Sequence, residues 1–320
     1  MKKKFKPFSR VAGFLIAAFL VPVERMLLKS VSLEEGAFSR PVFVIGPPRS
    51  GTTLLYQVLI NHFNFVYLTN LSAKLFAVPL IGTWLSKMLG AFSGEKMTGY
   101  VSNYGKTESV TGPNEAGDFW YRWFPRGEHV YVAPGQSESQ DIHELRRQVI
   151  GIAQKLNTPM VFKNTYNSMR IAPIMEAFPG AVFLVCLRDP LDTAQSILEG
   201  RMKGNGNKDE WWSAPPKEID EIRHHPYWEQ VVEQVYYIYK QIEEDAARYG
   251  KERFLYIPYR RLCDDTRGTL ESMHQFFKES GVDVTVQGVA PESFPYSTGR
   301  KINEEEYARL QQKVNELWKI

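Results

Sequence analysis

The chain has 320 residues, 43% of them hydrophobic and 23% charged, the balance of a water-soluble globular fold with room for a sizeable core. A net charge of +3 is too small to draw it onto nucleic acid. Two cysteines, Cys186 and Cys263, exclude a disulfide framework and suit a reducing compartment, and no Cys/His cluster has metal-ligand spacing, so no metal is expected.

The positive charge is unevenly placed. Residues 1–40 hold eight Lys/Arg against three Glu, which leaves a net −2 for the rest of the chain. Lys2, Lys3, Lys4, Lys6 and Arg10 precede an apolar run from Val11 to Val23, and Glu24 and Arg25 interrupt it. No small-residue cleavage site follows, which argues against a signal peptide. A span needs roughly 20 apolar residues, and each charge at mid-bilayer would cost about 2.5–3.5 kcal/mol. Three readings stay open for this segment: a peripheral anchor on anionic lipid, a short span, or a helix buried on the domain.

From residue 41 the pattern is that of an α/β protein. Val42–Ile45 reads as a buried strand, Gly46–Thr53 as a glycine turn, and Thr52 onward as a helix. Further strands are expected at 64–68, 159–163, 181–187 and 253–257. Helices are expected at 71–92, 141–156, 167–178, 191–201, 227–249 and 260–280, with a last one at the C-terminus. Residues 94–108 and 291–303 read as loops, and 202–225 as a mobile flap. Alternation of strands and helices predicts a P-loop-type parallel sheet flanked by helices. The expected organisation is an N-terminal segment at 1–40 and one α/β domain at 41–320, with a helical insertion at about 70–157.

Two stretches carry chemistry. Strand, glycine loop and helix aim bare N–H groups and a positive helix end at an anion. The spacing Gly46-x4-Gly51-Thr52-Thr53 matches a Walker A loop, except that Thr52 replaces the lysine while a cation stands inside the loop at Arg49. The second stretch is Arg188-Asp189-Pro190 at the carboxyl end of the 181–187 strand, with Ser196 eight residues on in the next helix. An Arg with a hydroxyl at that end of a sheet suits a phosphate monoester.

Together, Gly-Pro-Pro-Arg49-Ser-Gly-Thr-Thr53 and Phe-Leu-Val-Cys-Leu-Arg188-Asp-Pro-Leu-Asp-Thr-Ala-Gln-Ser196 resemble the 5′-phosphosulfate and 3′-phosphate motifs of the sulfotransferase family, in its bacterial-type form. Val161-Phe-Lys163, Tyr256–Leu262 (with Arg260 where an acid is usual) and Ser297-Thr-Gly-Arg300-Lys301 resemble further family segments more loosely. The resemblance implies transfer of a sulfuryl group from 3′-phosphoadenosine 5′-phosphosulfate (PAPS), as co-substrate and without a metal. It implies that Arg49 stabilises the transferring group and that Pro48, Ser50, Gly51, Thr52 and Thr53 frame the 5′-phosphate. Arg188, Ser196 and Arg300 would take the 3′-phosphate, and Lys163 would be a second cation. The acceptor would be a hydroxyl of a small molecule, sugar or lipid.

A hydroxyl acceptor calls for a general base. No acid stands between Thr53 and Gly94, which departs from the branch that uses a Glu soon after the loop. Glu115 in Gly-Pro-Asn-Glu is the candidate, with Asp118 next and His62 and His129 behind them. The aromatics at 119–124 and Trp211, Trp212, Tyr227 and Trp228 either line an acceptor cleft or pack a helix and a flap. Two other classes remain: a nucleoside-triphosphate kinase or hydrolase, against which the absent loop lysine argues, and a non-catalytic, membrane-attached nucleotide-binding protein. The short spacing between the apolar run and the first strand favours a cytoplasmic protein, membrane-associated on the cytosolic face.

Overall fold

The computed structural model describes residues 19–92, 100, 107 and 109–319. The basic residues Lys2 to Arg10, the start of the apolar run and nearly all of the 94–108 loop lie outside these residues. Four strands form one parallel sheet: β1 (Val42–Ile45), β2 (Val161–Lys163), β3 (Val182–Leu187) and β4 (Phe254–Pro258), in the order β2-β1-β3-β4. The strands are short and almost entirely apolar, as a sheet covered on both faces requires.

The register explains much of the core. Phe43 pairs with Phe162 on one side and Phe183 on the other, and Phe183 pairs with Phe254. One aromatic row therefore crosses all four strands, with successive ring centroids 5.3, 5.6 and 4.7 Å apart. Trp120 and Phe119 pack on this row, and the Ser139–Leu156 and Tyr227–Tyr249 helices close over the same face. The opposite face, from Val42 and Val44, is covered by the Thr52–His62 and Thr266–Glu279 helices. A third cluster seats the Glu304–Trp318 helix on Pro190–Asn205 and Tyr227–Tyr249.

The structure differs from the sequence reading in several elements. Residues 64–68 are extended but make only a single bridge, Val66 to Met160, with Phe63 bridging Val286 beside it. The 71–92 helix is two, Asn70–Lys74 and Pro79–Met88, because Pro79 starts a new helix where its missing N–H costs nothing. The 167–178 helix begins as a 3-10 turn, Thr165–Met169, before Ile171–Ala177. The 260–280 helix divides into Tyr259–Asp264 and Thr266–Glu279, the second capped by Asp265, whose carboxylate accepts from Gly268 N–H at 2.9 Å.

The 202–225 segment is pinned. The buried Arg201 guanidinium donates to Lys208 O and Gln230 Oε1, each at 2.9 Å, and lies over the Trp211 ring. Gln234 Nε2 donates to the carbonyls of Trp212 and Ala214 at 3.2 and 2.8 Å. At the other end of the chain, residues 19–28 are helical and lie on the domain: Leu28 is buried, and the buried Glu24 carboxylate accepts from Leu80 and Ile81 N–H at 2.9 and 3.0 Å. Among the described residues, no helix is long and apolar enough to cross a membrane.

Candidate active site

Each strand delivers a polar group at its carboxyl end, where open α/β sheets bind ligands. β1 runs into the glycine loop, β2 ends at Lys163, β3 is followed by Arg188, and β4 by Tyr259. These groups meet around a cleft of about 450 Å³, whose walls include Arg49, Thr53, Glu115, Lys163, Arg188 and Tyr259.

The loop is held from below by buried hydrogen bonds. Gly46 N–H donates to Ser168 Oγ at 3.1 Å, Ser50 Oγ donates to Pro47 O at 2.8 Å, and Cys186 Sγ donates to Ser50 O at 3.1 Å. Burial pushes the Cys186 thiol up to about 12, so it stays protonated as a donor to the loop. Gly51, at φ 103°, is the last residue before the Thr52–His62 helix, and any Cβ there would run into the Tyr259 ring. Arg49 also has positive φ, at 69°, an uncommon conformation for a residue with a side chain. Its Nε donates to Ser196 Oγ at 3.0 Å, tying the loop after β1 to the Pro190–Asn205 helix.

Arg188 is the second brace. Its Nη1 donates to Arg49 O at 3.0 Å and its Nη2 to Ser297 O at 2.6 Å, while its Cζ lies 5.1 Å from the Tyr259 ring centroid. Its buried Nε has no hydrogen-bond partner. The late loop folds onto this region: Gln195 Nε2 donates to Gly299 O at 2.9 Å and Gln195 Oε1 accepts from Lys301 N–H at 3.0 Å. Partial burial, together with the positive charges of Arg188 and Arg49, pulls the Lys301 ammonium below its ordinary range. Arg300 instead turns outward and pairs with Glu304 at 3.2 Å.

Glu115 stands opposite the loop. Its turn is anchored by Asn114 N–H donating to Leu68 O at 2.8 Å, and Ala116 takes a left-handed φ of 49°. Asn164 Nδ2 donates to Glu115 O at 3.1 Å, and the Glu115 carboxylate is ion-paired with Lys163, whose side chain is only 5% exposed. The structure thus brings Glu115, Lys163, Arg49, Arg188 and Ser196 together. Pro48, Gly51, Thr52 and Thr53 line the cleft, while Ser50 is buried beneath it. Asp118 points away, paired with Arg126 and 59% exposed.

The aromatics divide. Phe119, Trp120, Trp123 and Phe124 belong to the core, and Tyr227 and Trp228 pack toward the C-terminal helix. Only Trp212 of the group lines the cleft. Its indole lies over Gly200 and Gly204, one helical turn apart, where a Cβ would approach ring atoms to 2.9 and 3.1 Å. The sequence reading does not single out Tyr259 under the loop or Tyr166 in the wall, and it takes Lys301, which feels the charge of Arg188, only as part of the late-loop segment. Tyr259 could have been found by the rule that marked Arg188, since it too directly follows a strand.

The Sulfotransferase family model matches residues 41–283, more than half of the chain and all of the cleft-bearing strands. The chain belongs to the sulfotransferase family. Among solved structures, it resembles sulfotransferase STF9 from Mycobacterium avium at 14% identity and TM-score 0.51, covering 99% of this chain and 79% of that one. It also matches sulfotransferase STF1 from Mycobacterium tuberculosis H37Rv at 15% identity and TM-score 0.45, covering 96% and 86% of the two chains. The sulfotransferase domain from the curacin biosynthetic pathway matches at 17% identity and TM-score 0.43, covering 86% and 84%. The first of these likenesses speaks to the fold. No curated protein matches the sequence.

Proposed function

We propose that this sulfotransferase moves a sulfuryl group from PAPS to a hydroxyl of a small-molecule, carbohydrate or lipid acceptor. The observation that carries the reading is the bond from Arg49 Nε to Ser196 Oγ, with Arg188 braced against the same loop. It joins a glycine loop suited to one anion with an Arg–hydroxyl pair suited to a second, and PAPS has two anionic ends where ATP has one chain of phosphates. The residues present fit such a ligand: the buried Arg188 Nε lacks a partner, and the loop N–H groups sit at a helix N-terminus.

PAPS would bring the activated sulfuryl group. The chain's own part is positioning and charge. Gly51 to Thr53 present N–H groups to the 5′-phosphate above the buried Ser50, Arg188 and Ser196 hold the 3′-phosphate, and Lys301 adds positive potential nearby. Arg49 and Lys163 face the transferring group. Glu115, oriented by Lys163 and Asn164, takes the acceptor proton, and Trp212 on its glycine groove offers a flat face to the acceptor. In this reading residues 41–320 are one catalytic unit, and the 70–157 insertion exists in part to deliver Glu115. We also propose that the enzyme is cytoplasmic and attached peripherally to the membrane through its N-terminal segment. Mass spectrometry of extracts from expressing cells tests the reaction: a metabolite gaining the mass of one sulfuryl group supports it. Nucleotide binding without any sulfated product across a broad acceptor panel would overturn it.

A further inference from the structure

The N-terminal helix turns apolar side chains outward as well as inward. Phe19, Val23, Met26 and Leu27, at i, i+4, i+7 and i+8, form an exposed apolar stripe, whereas the helix's one acid, Glu24, is buried. The helix that Glu24 caps repeats the pattern. On Pro79–Met88, Trp84 and Met88 are exposed one turn apart, followed by exposed Leu89. Two helices joined by one buried carboxylate therefore both turn large apolar side chains to the outside, a feature that marks an interaction surface on a soluble domain.

Beside them lies a cavity of about 560 Å³ that shares no lining residue with the catalytic cleft. Arg25, Lys29, Arg122 and Arg147 line it, against the acids Glu24 and Glu144. Glu24 is already engaged by two backbone N–H groups. Gln148, 9% exposed, also lines the cavity. The cavity has the chemistry of an anion site. Arg25 on the helix and Lys29 in the turn after it line the cavity on the side nearest the exposed stripe.

We infer that the 19–28 and Pro79–Met88 helices form a membrane-seated face on an anionic bilayer, with a lipid phosphate headgroup held among Arg25, Lys29, Arg122 and Arg147. This rests on the peripheral attachment proposed above and moves its site from the basic N-terminus to a folded two-helix surface. The apolar side chains enter the headgroup–acyl boundary while the cations stay at phosphate level. Charge complementarity selects the occupant: a second protein copy would meet the same cations, whereas an anionic lipid surface supplies apolar depth together with phosphate.

The test is flotation of the full chain with phosphatidylcholine vesicles, with and without phosphatidylglycerol, alongside circular-dichroism melts of each variant. Wild type floats with the anionic vesicles. The exposed double variant Trp84→Glu/Met88→Glu, with an unchanged melt, loses roughly tenfold or more in partitioning. Arg25→Ala/Arg147→Ala reduces partitioning on anionic vesicles to that on neutral ones. Three results overturn the inference. One is failure of wild type to float with either vesicle. Another is loss of flotation on changing Lys2, Lys3, Lys4 and Lys6 to Ala while Trp84→Glu/Met88→Glu still floats. The third is a wild-type dimer in sedimentation velocity that Trp84→Glu/Met88→Glu converts to monomer. The flotation readout needs no sulfated product, so it stands or falls apart from the PAPS reading.

Discussion

Arg49 is held at φ 69°, where a side-chain-bearing residue costs of order 1–3 kcal/mol and persists only when its surroundings fix it. Ser196 fixes its side chain and Arg188 its carbonyl, so three residues act as one device. Arg188→Ala should raise the dissociation constant for adenosine 3′,5′-bisphosphate tenfold or more, since a charge-assisted contact contributes about 1.5–3 kcal/mol. Unchanged calorimetric affinity would remove Arg188 from the nucleotide site. Glu115→Gln should instead lower turnover by about two orders of magnitude or more, the usual scale of general-base catalysis, with nucleotide affinity intact. Full activity would move the base elsewhere. Loop, Arg188 and Ser196 were legible because each follows a strand at fixed spacing, and the strand ends share one edge. The orientations of Arg300 and Lys301 were not, whereas the sequence does rank Glu115 ahead of Asp118, and Glu115 lines the cleft. Neighbours in a turn point different ways, and only the fold shows that Arg300 pairs with Glu304 while Lys301 lies within the positive field of Arg188 and Arg49.

At the scale of elements, the strands were readable from continuous apolar runs, but their register was not. The phenylalanine row arises from pairings across residues far apart in sequence, and it claims the aromatics of 119–124 for the core. The flap misled for a related reason. Its polar, Gly/Pro-containing sequence resembles a free loop, yet the buried Arg201, Gln230 and Gln234 hold its backbone. The Tyr227–Tyr249 helix carries a testable cost. Asp245 is buried there, accepts from Gln241 Nε2 at 3.0 Å, and burial raises its carboxyl from 3.8 to about 6. Because the folded state binds this proton more tightly than the unfolded chain, the group's stabilising effect is present below about pH 4. It is lost as pH rises to about 6, and above that the charged form is a fixed penalty of about 2–3 kcal/mol. Asp245→Asn should therefore raise the melting temperature at pH 7–8 and leave it nearly unchanged at pH 4. Equal shifts at both values would assign the effect to packing.

Over the whole molecule, four strand ends, one insertion turn and one late loop surround a cleft whose positive charge comes from Arg49, Lys163 and Arg188. Its acid, Glu115, is already paired with Lys163. A nucleoside-triphosphate enzyme needs carboxylate or hydroxyl ligands that place a divalent ion against its phosphates. A sulfuryl group carries less negative charge in transfer than a phosphoryl group, so side-chain cations and N–H groups suffice for it. Among the described residues, His225, Glu229 and Glu233 are the group spaced closely enough for an ion, and they lie outside the cleft. There the Lys313 ammonium sits 2.9 Å from Glu229 and 3.3 Å from Glu233, so a side-chain cation already answers these carboxylates. Sulfuryl transfer should therefore run at the same rate with excess EDTA as with added Mg²⁺, measured as sulfated product per unit time under saturating PAPS. A rate that collapses on chelation and returns with Mg²⁺ would place the loop with Thr52 among metal-dependent phosphate loops, and the low charge of a sulfuryl group would no longer account for its missing lysine.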